Sequence, residues 1–190
     1  MEIINLLRDN IEVNELLRDF CDIEILQDYK EPQDQHGRLS YSIPGKAFAK
    51  DKSGGEYILL QDGSVGHWSS EGQIGRISEN LNDFFTFVVN CPYWKDYVVK
   101  KPYENIEALR QFASEIYDEY VEEEQEYWED DLGEVQKELA EKIGVSLYNN
   151  VPEKVLMKFY HSATREPRMY ATYTEDDGSK HSNSGSLFET

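Results

Sequence analysis

The chain has few basic residues, few cysteines and histidines, and no long apolar run. Each shortage removes a class of function. No stretch approaches the roughly 20 consecutive apolar residues of a membrane-spanning helix, and the mean hydropathy of -0.70 agrees. The opening Met1-Glu2-Ile3-Ile4-Asn5 has neither a basic region nor a small-residue cleavage site, so no secretory signal is expected and the expected location is cytoplasmic. The two cysteines, Cys21 and Cys91, form no CxxC motif. They could pair, but two free, largely buried thiols in a reducing compartment are expected. The four histidines, His36, His67, His161 and His181, are scattered without HExxH or His-x3–5-His spacing, and no acidic segment has the EF-hand pattern. No metal and no cofactor are expected. Nineteen basic residues face thirty-eight acidic ones, a net charge of -19. Such a field repels nucleic acid and anionic membranes and attracts basic surfaces.

Catalytic signatures are also missing. Ser184-Gly185-Ser186 is not GxSxG, and Cys91 precedes a proline with no identifiable histidine partner. The glycine turns at 54–55, 63 and 72 lack the Lys-Ser/Thr of a phosphate-binding loop. With so many acids, any fold brings some carboxylates together, so a glycosidase-like pair would carry no weight. No catalytic residue is assigned, and the chain is expected not to be an enzyme.

What is present is enough apolar area for a core. Hydrophobic residues make up 39% of 190, which excludes wholesale disorder. Ile3, Leu6, Leu7, Ile11, Val13, Leu16, Leu17 and Phe20 recur at helical spacing and predict one amphipathic helix. A strand is expected over Asp22–Tyr29 and a loop over Glu31–Ser40. A β-meander follows, with strands over Ile43–Lys50, Glu56–Gln61, Ser64–Ser69 and Gln73–Ile77. Its turns are Ser53-Gly54-Gly55, Asp62-Gly63 and Glu71-Gly72. The period then changes. Ser78 or Asn80 can cap a helix whose stripe is Leu81, Phe84, Phe85, Val88 and Val89, and Cys91-Pro92 stops it. Further helices are expected over Glu104–Trp128, Gly133–Ile143 and Pro152–Ser162. The tail reads as a hairpin turning at Glu175–Gly178. The fold class is α+β, an antiparallel meander flanked by helices. Residues 1–100 form the core, and residues 101–190 form an acidic helical extension and closing hairpin packed on it.

Within the meander, the phrases Gly45-Lys46-Ala47-Phe48-Ala49-Lys50-Asp51, Gly54-Gly55-Glu56-Tyr57-Ile58-Leu59-Leu60, Gly63-Ser64-Val65-Gly66, Gly72-Gln73-Ile74-Gly75-Arg76-Ile77 and Ser78-Glu79-Asn80-Leu81-Asn82-Asp83-Phe84-Phe85 occur in succession. Their order and spacing over Gly45–Trp94 resemble the second half of a SUKH superfamily domain, the group that includes the yeast cell-wall-synthesis regulator. The resemblance implies a non-enzymatic binding protein. Bacterial members are mostly immunity proteins that neutralise toxins, often nucleases. It implies a cytoplasmic protein whose partner is a cognate toxin with a basic surface, blocked at its active site. The alternative is a scaffold or regulatory protein that binds endogenous partners, as the yeast member does.

The acidic residues cluster where such a role needs them. From Asp118 to Asp131 there are nine carboxylates and no Lys or Arg, with Tyr117, Tyr120, Tyr127 and Trp128 interleaved. Like charges at i, i+4 weaken a helix by a few tenths of a kcal/mol per pair. The plain alternative is a solvated helix face with its aromatics turned inward. A nuclease presents a positive cleft that carboxylates can occupy, and Tyr and Trp supply anchoring area. The candidate partner-binding residues are Asp118, Glu119, Glu122, Glu123, Glu126, Tyr127, Trp128, Glu129, Asp130 and, beyond the helix stop, Trp94, although core packing is the more frequent fate of aromatics in the Tyr93-Trp94-Lys95-Asp96-Tyr97 stretch.

Overall fold

The computed structural model describes residues 2–31, 39–92, 94–95, 107, 111, 117–128, 131–149, 152–183 and 187. The N-terminal apolar stripe forms two helices, α1 (Glu2–Asp9) and α2 (Ile11–Cys21), where one was expected. Asn10 causes the break. Its extended backbone starts α2, and its side-chain oxygen accepts from Val13 N at 3.3 Å. The bend takes Leu6 and Ile11 off the buried face, leaving them 50% and 73% exposed, while Leu7, Val13, Leu17 and Phe20 stay inside. Asp22, in the left-handed region at φ 55°, ends α2.

Five strands then form one antiparallel sheet: β1 (Glu24–Lys30), β3 (Gly45–Lys50), β4 (Glu56–Leu60), β5 (Val65–Trp68) and β6 (Ile74–Ser78), in the order β1-β3-β4-β5-β6. The hairpin glycines Gly54, Gly63 and Gly72 all have positive φ, as the turn signals required. The sheet is buried on both faces, which explains the nearly continuous apolar run of β4. Phe48, Tyr57, Val65 and Ile77 point to the helices, whereas Ile58, Leu60 and Ile74 point the other way. The first face is covered by α1, α2, α3 (Leu81–Asn90), α5 (Leu132–Ile143) and α6 (Met157–Thr164). Asn80 caps α3, taking Asp83 N at 2.9 Å and donating to Asp83 Oδ2 at 2.8 Å. Asp131 caps α5, and Gly144 closes it at φ 80°. A π-helical turn, Pro152–Leu156, leads directly into α6.

The opposite face carries an element the sequence did not suggest. Leu39–Tyr41, within and just beyond the expected loop, forms a short strand, β2. It pairs with β7 (Ala171–Thr174) of the closing hairpin, whose other arm is β8 (Lys180–Asn183). This three-stranded sheet lays Met169 and Ala171 on Ile58, Leu60 and Ile74. Glycine makes the approach close enough. A Cβ on Gly66 would collide with Met169, and one on Gly75 would stand 2.8 Å from Leu187 Cγ. Arg76 fastens the same segment. Its buried guanidinium donates to Ser64 Oγ (3.0 Å), Asp62 Oδ2 (3.3 Å) and the carbonyls of Arg165 (3.3 Å) and Pro167 (3.2 Å). Leu132, Leu139, Ile143, Val155, Phe159 and Leu187 share one apolar cluster with Leu17, Phe48 and Phe84, so residues from both stretches of the chain build the main core.

Candidate functional site

The described part of the acidic helix, α4, runs Tyr117–Gln125; the expected residues before it lie largely outside the described residues. Glu119, Glu122, Glu123 and Glu126 are exposed. Among the described residues none of the four makes an ion pair, whereas acids elsewhere do, such as Glu12 with Lys142 at 2.8 Å and Asp83 with Lys158 at 2.9 Å. The last turn of α4 contains no basic residue, so its carboxylates meet the negative end of the helix dipole uncompensated. Tight turns then carry the chain out of the helix, with Tyr127 N donating to Glu124 O at 3.0 Å and Trp128 N to Gln125 O at 3.2 Å. Gln125 Oε1 accepts from Leu132 N at 2.9 Å, which ties this exit to the start of α5.

The two aromatics at this exit diverge. Tyr127 is 83% exposed, the most exposed of the large hydrophobic side chains among the described residues. Trp128 is half-buried, its ring edge-on to Phe20 of α2 at 5.8 Å. It hinges the acidic segment to the core and offers a partner only part of its surface. The side chain of Asp118, and Glu129 and Asp130 entirely, lie outside the described residues. Asp131 is occupied as the cap of α5, accepting from Glu134 N at 3.1 Å.

Trp94 is a correction. Expected at a contact patch, it is fully buried, packed against Phe87 (5.5 Å), Phe159 (5.8 Å) and His67 (5.3 Å). The chain turns inward after Cys91-Pro92, with Trp94 N donating to Cys91 O at 3.2 Å, and the indole fills the space between α3, α6 and the sheet. The cysteines are free and buried as expected. Burial pushes the Cys21 thiol far above its ordinary range, and its Sγ lies 3.4 Å from Val88 O.

Beside Trp94 is a charged network that spacing along the chain gave no hint of. Asp51, at the end of β3, is 4% exposed. Its Oδ1 accepts from Gly55 N (2.7 Å) and Ser53 Oγ (2.8 Å), and its Oδ2 meets His67 Nε2 (3.3 Å) and Lys95 Nζ (3.1 Å). Lys95 also pairs with Asp22 Oδ2, and Asp22 Oδ1 accepts from Lys52 N at 2.9 Å. Burial opposes ionisation of Asp51, but the His67 hydrogen bond, the Lys95 charge and the Ser53 hydroxyl together outweigh it and hold the carboxyl well below its usual range. Burial lowers the His67 pKa, only partly offset by Asp51, so a neutral imidazole faces an ionised carboxylate. The arrangement joins the end of α2, the β3–β4 turn, β5 and the segment after α3. Asp51 and His67 side chains are each 1% exposed, and no hydroxyl or thiol nucleophile among the described residues hydrogen-bonds His67. The network is a clamp.

A cleft of about 200 Å³ opens between the start of α3 and α6, floored by Ile77, Phe87, Val155 and Phe159. The Lys158–Asp83 ion pair spans its lining. Among the described residues no group of three His, Cys, Asp or Glu side chains is placed to hold a metal ion, and no helix is long and apolar enough to cross a membrane. No protein-family model, no curated protein and no solved structure matches the chain.

Proposed function

We propose that this chain is an immunity protein that binds a toxin domain with a basic active-site cleft, a nuclease foremost, and occludes it in the cytosol of the producing cell. One observation carries the proposal: just past the end of α4 Tyr127 stands 83% exposed, and Glu119, Glu122 and Glu123 of the helix and Glu126 after it are exposed with no basic partner among the described residues. A solvated helix face does not need a large aromatic held in water, whereas an interface uses one as its anchor. Uncompensated carboxylates around it steer a basic partner and take the place of nucleic-acid phosphate. The resemblance of Gly45–Trp94 to SUKH domains supports the same reading. The fixed core, clamped by Asp51 and Arg76, supplies the rigid platform that a pre-organised inhibitor requires.

Co-expression with the product of the neighbouring gene tests it. The expected result is a complex that co-purifies, with growth restored to cells that otherwise die. Absence of both binding and rescue, with recovery of a basic endogenous partner instead, would move the assignment to a scaffold.

A further inference from the structure

The cleft between the start of α3 and α6 is used by neither the clamp nor the acidic segment. Its floor is apolar, with the Phe87 and Phe159 rings stacked at 4.9 Å and 18° beside Ile77 and Val155. Tyr148 lines it as well, and Asn90 fixes the backbone there. The fully buried Asn90 side chain accepts from Tyr148 N (3.0 Å) and donates to Ser146 O (2.9 Å) and Thr86 O (2.7 Å). The π-helical turn Pro152–Leu156 contributes Lys154 and Val155 to the lining. Such turns are rare and recur at functional sites. The volume of about 200 Å³ exceeds the roughly 150 Å³ of a cavity that holds benzene. It falls short of the roughly 300 Å³ at which drug-sized pockets begin. The space fits one six-membered ring and a short polar head.

The charges of the lining select that head. Both acids among the lining residues are already paired, Asp83 with Lys158 at 2.9 Å and Glu79 with Arg165 at 3.2 Å. Lys154 has no carboxylate partner among the described residues; its ammonium lies over the Tyr148 ring, 5.5 Å from the centroid. Lys154, Lys158 and His161 follow one another at spacings of four and three residues, so they share one helical edge along the cleft. An unpaired ammonium above an aromatic floor is complementary to an apolar acid. We propose that the cleft binds a small organic acid, with one aromatic ring or a branched aliphatic body of the same size and a single carboxylate. The apolar body lies on Phe87 and Phe159, and the carboxylate meets Lys154. The proposal does not rest on the toxin-binding reading, since no residue of the α4 segment is among those that line the cleft.

Proton–nitrogen NMR of the full chain, titrated with phenylacetate and with the neutral 2-phenylethanol, tests this. Phenylacetate should move the amide signals of Ser78, Thr86, Phe87 and Ser162 saturably, with the roughly millimolar or lower dissociation constant that about ten non-hydrogen atoms can supply. It should bind more tightly than 2-phenylethanol. Lys154→Gln, a change at an exposed side chain, should weaken phenylacetate binding about two- to fivefold and leave that of 2-phenylethanol unchanged. Equal binding of the two probes, unaffected by the substitution, would mean a cleft with no preference for acids and would overturn the assignment. Absence of any saturable shift at these residues would overturn the site itself.

Discussion

Lowering the pH from about 8 to about 5 charges the His67 imidazole in the unfolded chain, whose ordinary pKa is 6.5, before it charges the buried imidazole in the folded one. The unfolded state then binds more protons, so stability is intact above about pH 6.5 and falls as the pH drops below it. The slope approaches about 1.4 kcal/mol per pH unit while the folded imidazole stays neutral, which sets a ceiling of about 2 kcal/mol lost by about pH 5. Asp51 adds a second window. Its carboxyl is depressed in the folded state, so its contribution is present above the unfolded carboxyl range near 3.9 and is lost below it. Between the two windows, protonation of other surface acids relieves self-repulsion in a chain of net charge -19 and works the opposite way. The assay is therefore a comparison. Urea unfolding at fixed ionic strength, at several pH values, is run on the protein and on His67→Gln. The variant should be less stable at about pH 7.5 and should lose less stability on acidification. Parallel stability–pH curves for the two proteins would refute the reasoning, because they would mean that His67 titrates alike folded and unfolded.

Two further expectations concern the second sheet. Gly66→Ala places a methyl against Met169 and should cost about 1–3 kcal/mol by overpacking; adding Met169→Ala should recover part of that loss in chemical denaturation, and an additive loss would contradict the contact. Arg76→Met removes the guanidinium that joins Asp62 to the Arg165 and Pro167 carbonyls and should cost roughly 3 kcal/mol. Burial opposes ionisation of Asp62, yet the Ser64 hydrogen bonds and the charges of Arg76 and Arg165 hold its carboxyl below its ordinary range. In Arg76→Met, Asp62 should titrate closer to its ordinary value by NMR, and an unchanged titration would show that Arg165 and Ser64 suffice.

Features with a local physical cause could be read from the chain alone. Asp62-Gly63 required a hairpin because glycine supplies the positive φ, and Asn80 with Asp83 required a helix start because the two groups cap one another. The closing hairpin around Asp176–Gly178 belongs to the same kind. Features made by distant pairing could not be read this way. Leu39–Tyr41 is too short for a periodicity and becomes a strand only against Tyr173–Ala171, so the second sheet had no local signal. Asp22, Asp51, His67 and Lys95 meet because strand register and the α2 cap bring them together, and nothing in their spacing marks them. Trp94 follows a proline helix stop that indicated where α3 ends; the sequence left its indole a choice between core and contact patch, and the rings of Phe87, Phe159 and His67 around it decide for the core. The acidic segment was legible as charge. The separate fates of Tyr127 and Trp128 were not, since adjacent aromatics are told apart only by where Phe20 lies.

The central claim is that the α4 carboxylates guide a basic partner onto the exposed Tyr127. Replacing Glu119, Glu122, Glu123 and Glu126 together with Gln leaves the core contacts untouched, a point that circular dichroism and the unfolding midpoint verify. The direct measurement is the association rate with the partner toxin domain at low and high salt. The account predicts that the variant associates roughly tenfold or more slowly at low salt and that its rate responds less to salt. An association rate and salt dependence equal to those of the unaltered protein would contradict it and leave this face as solvated surface.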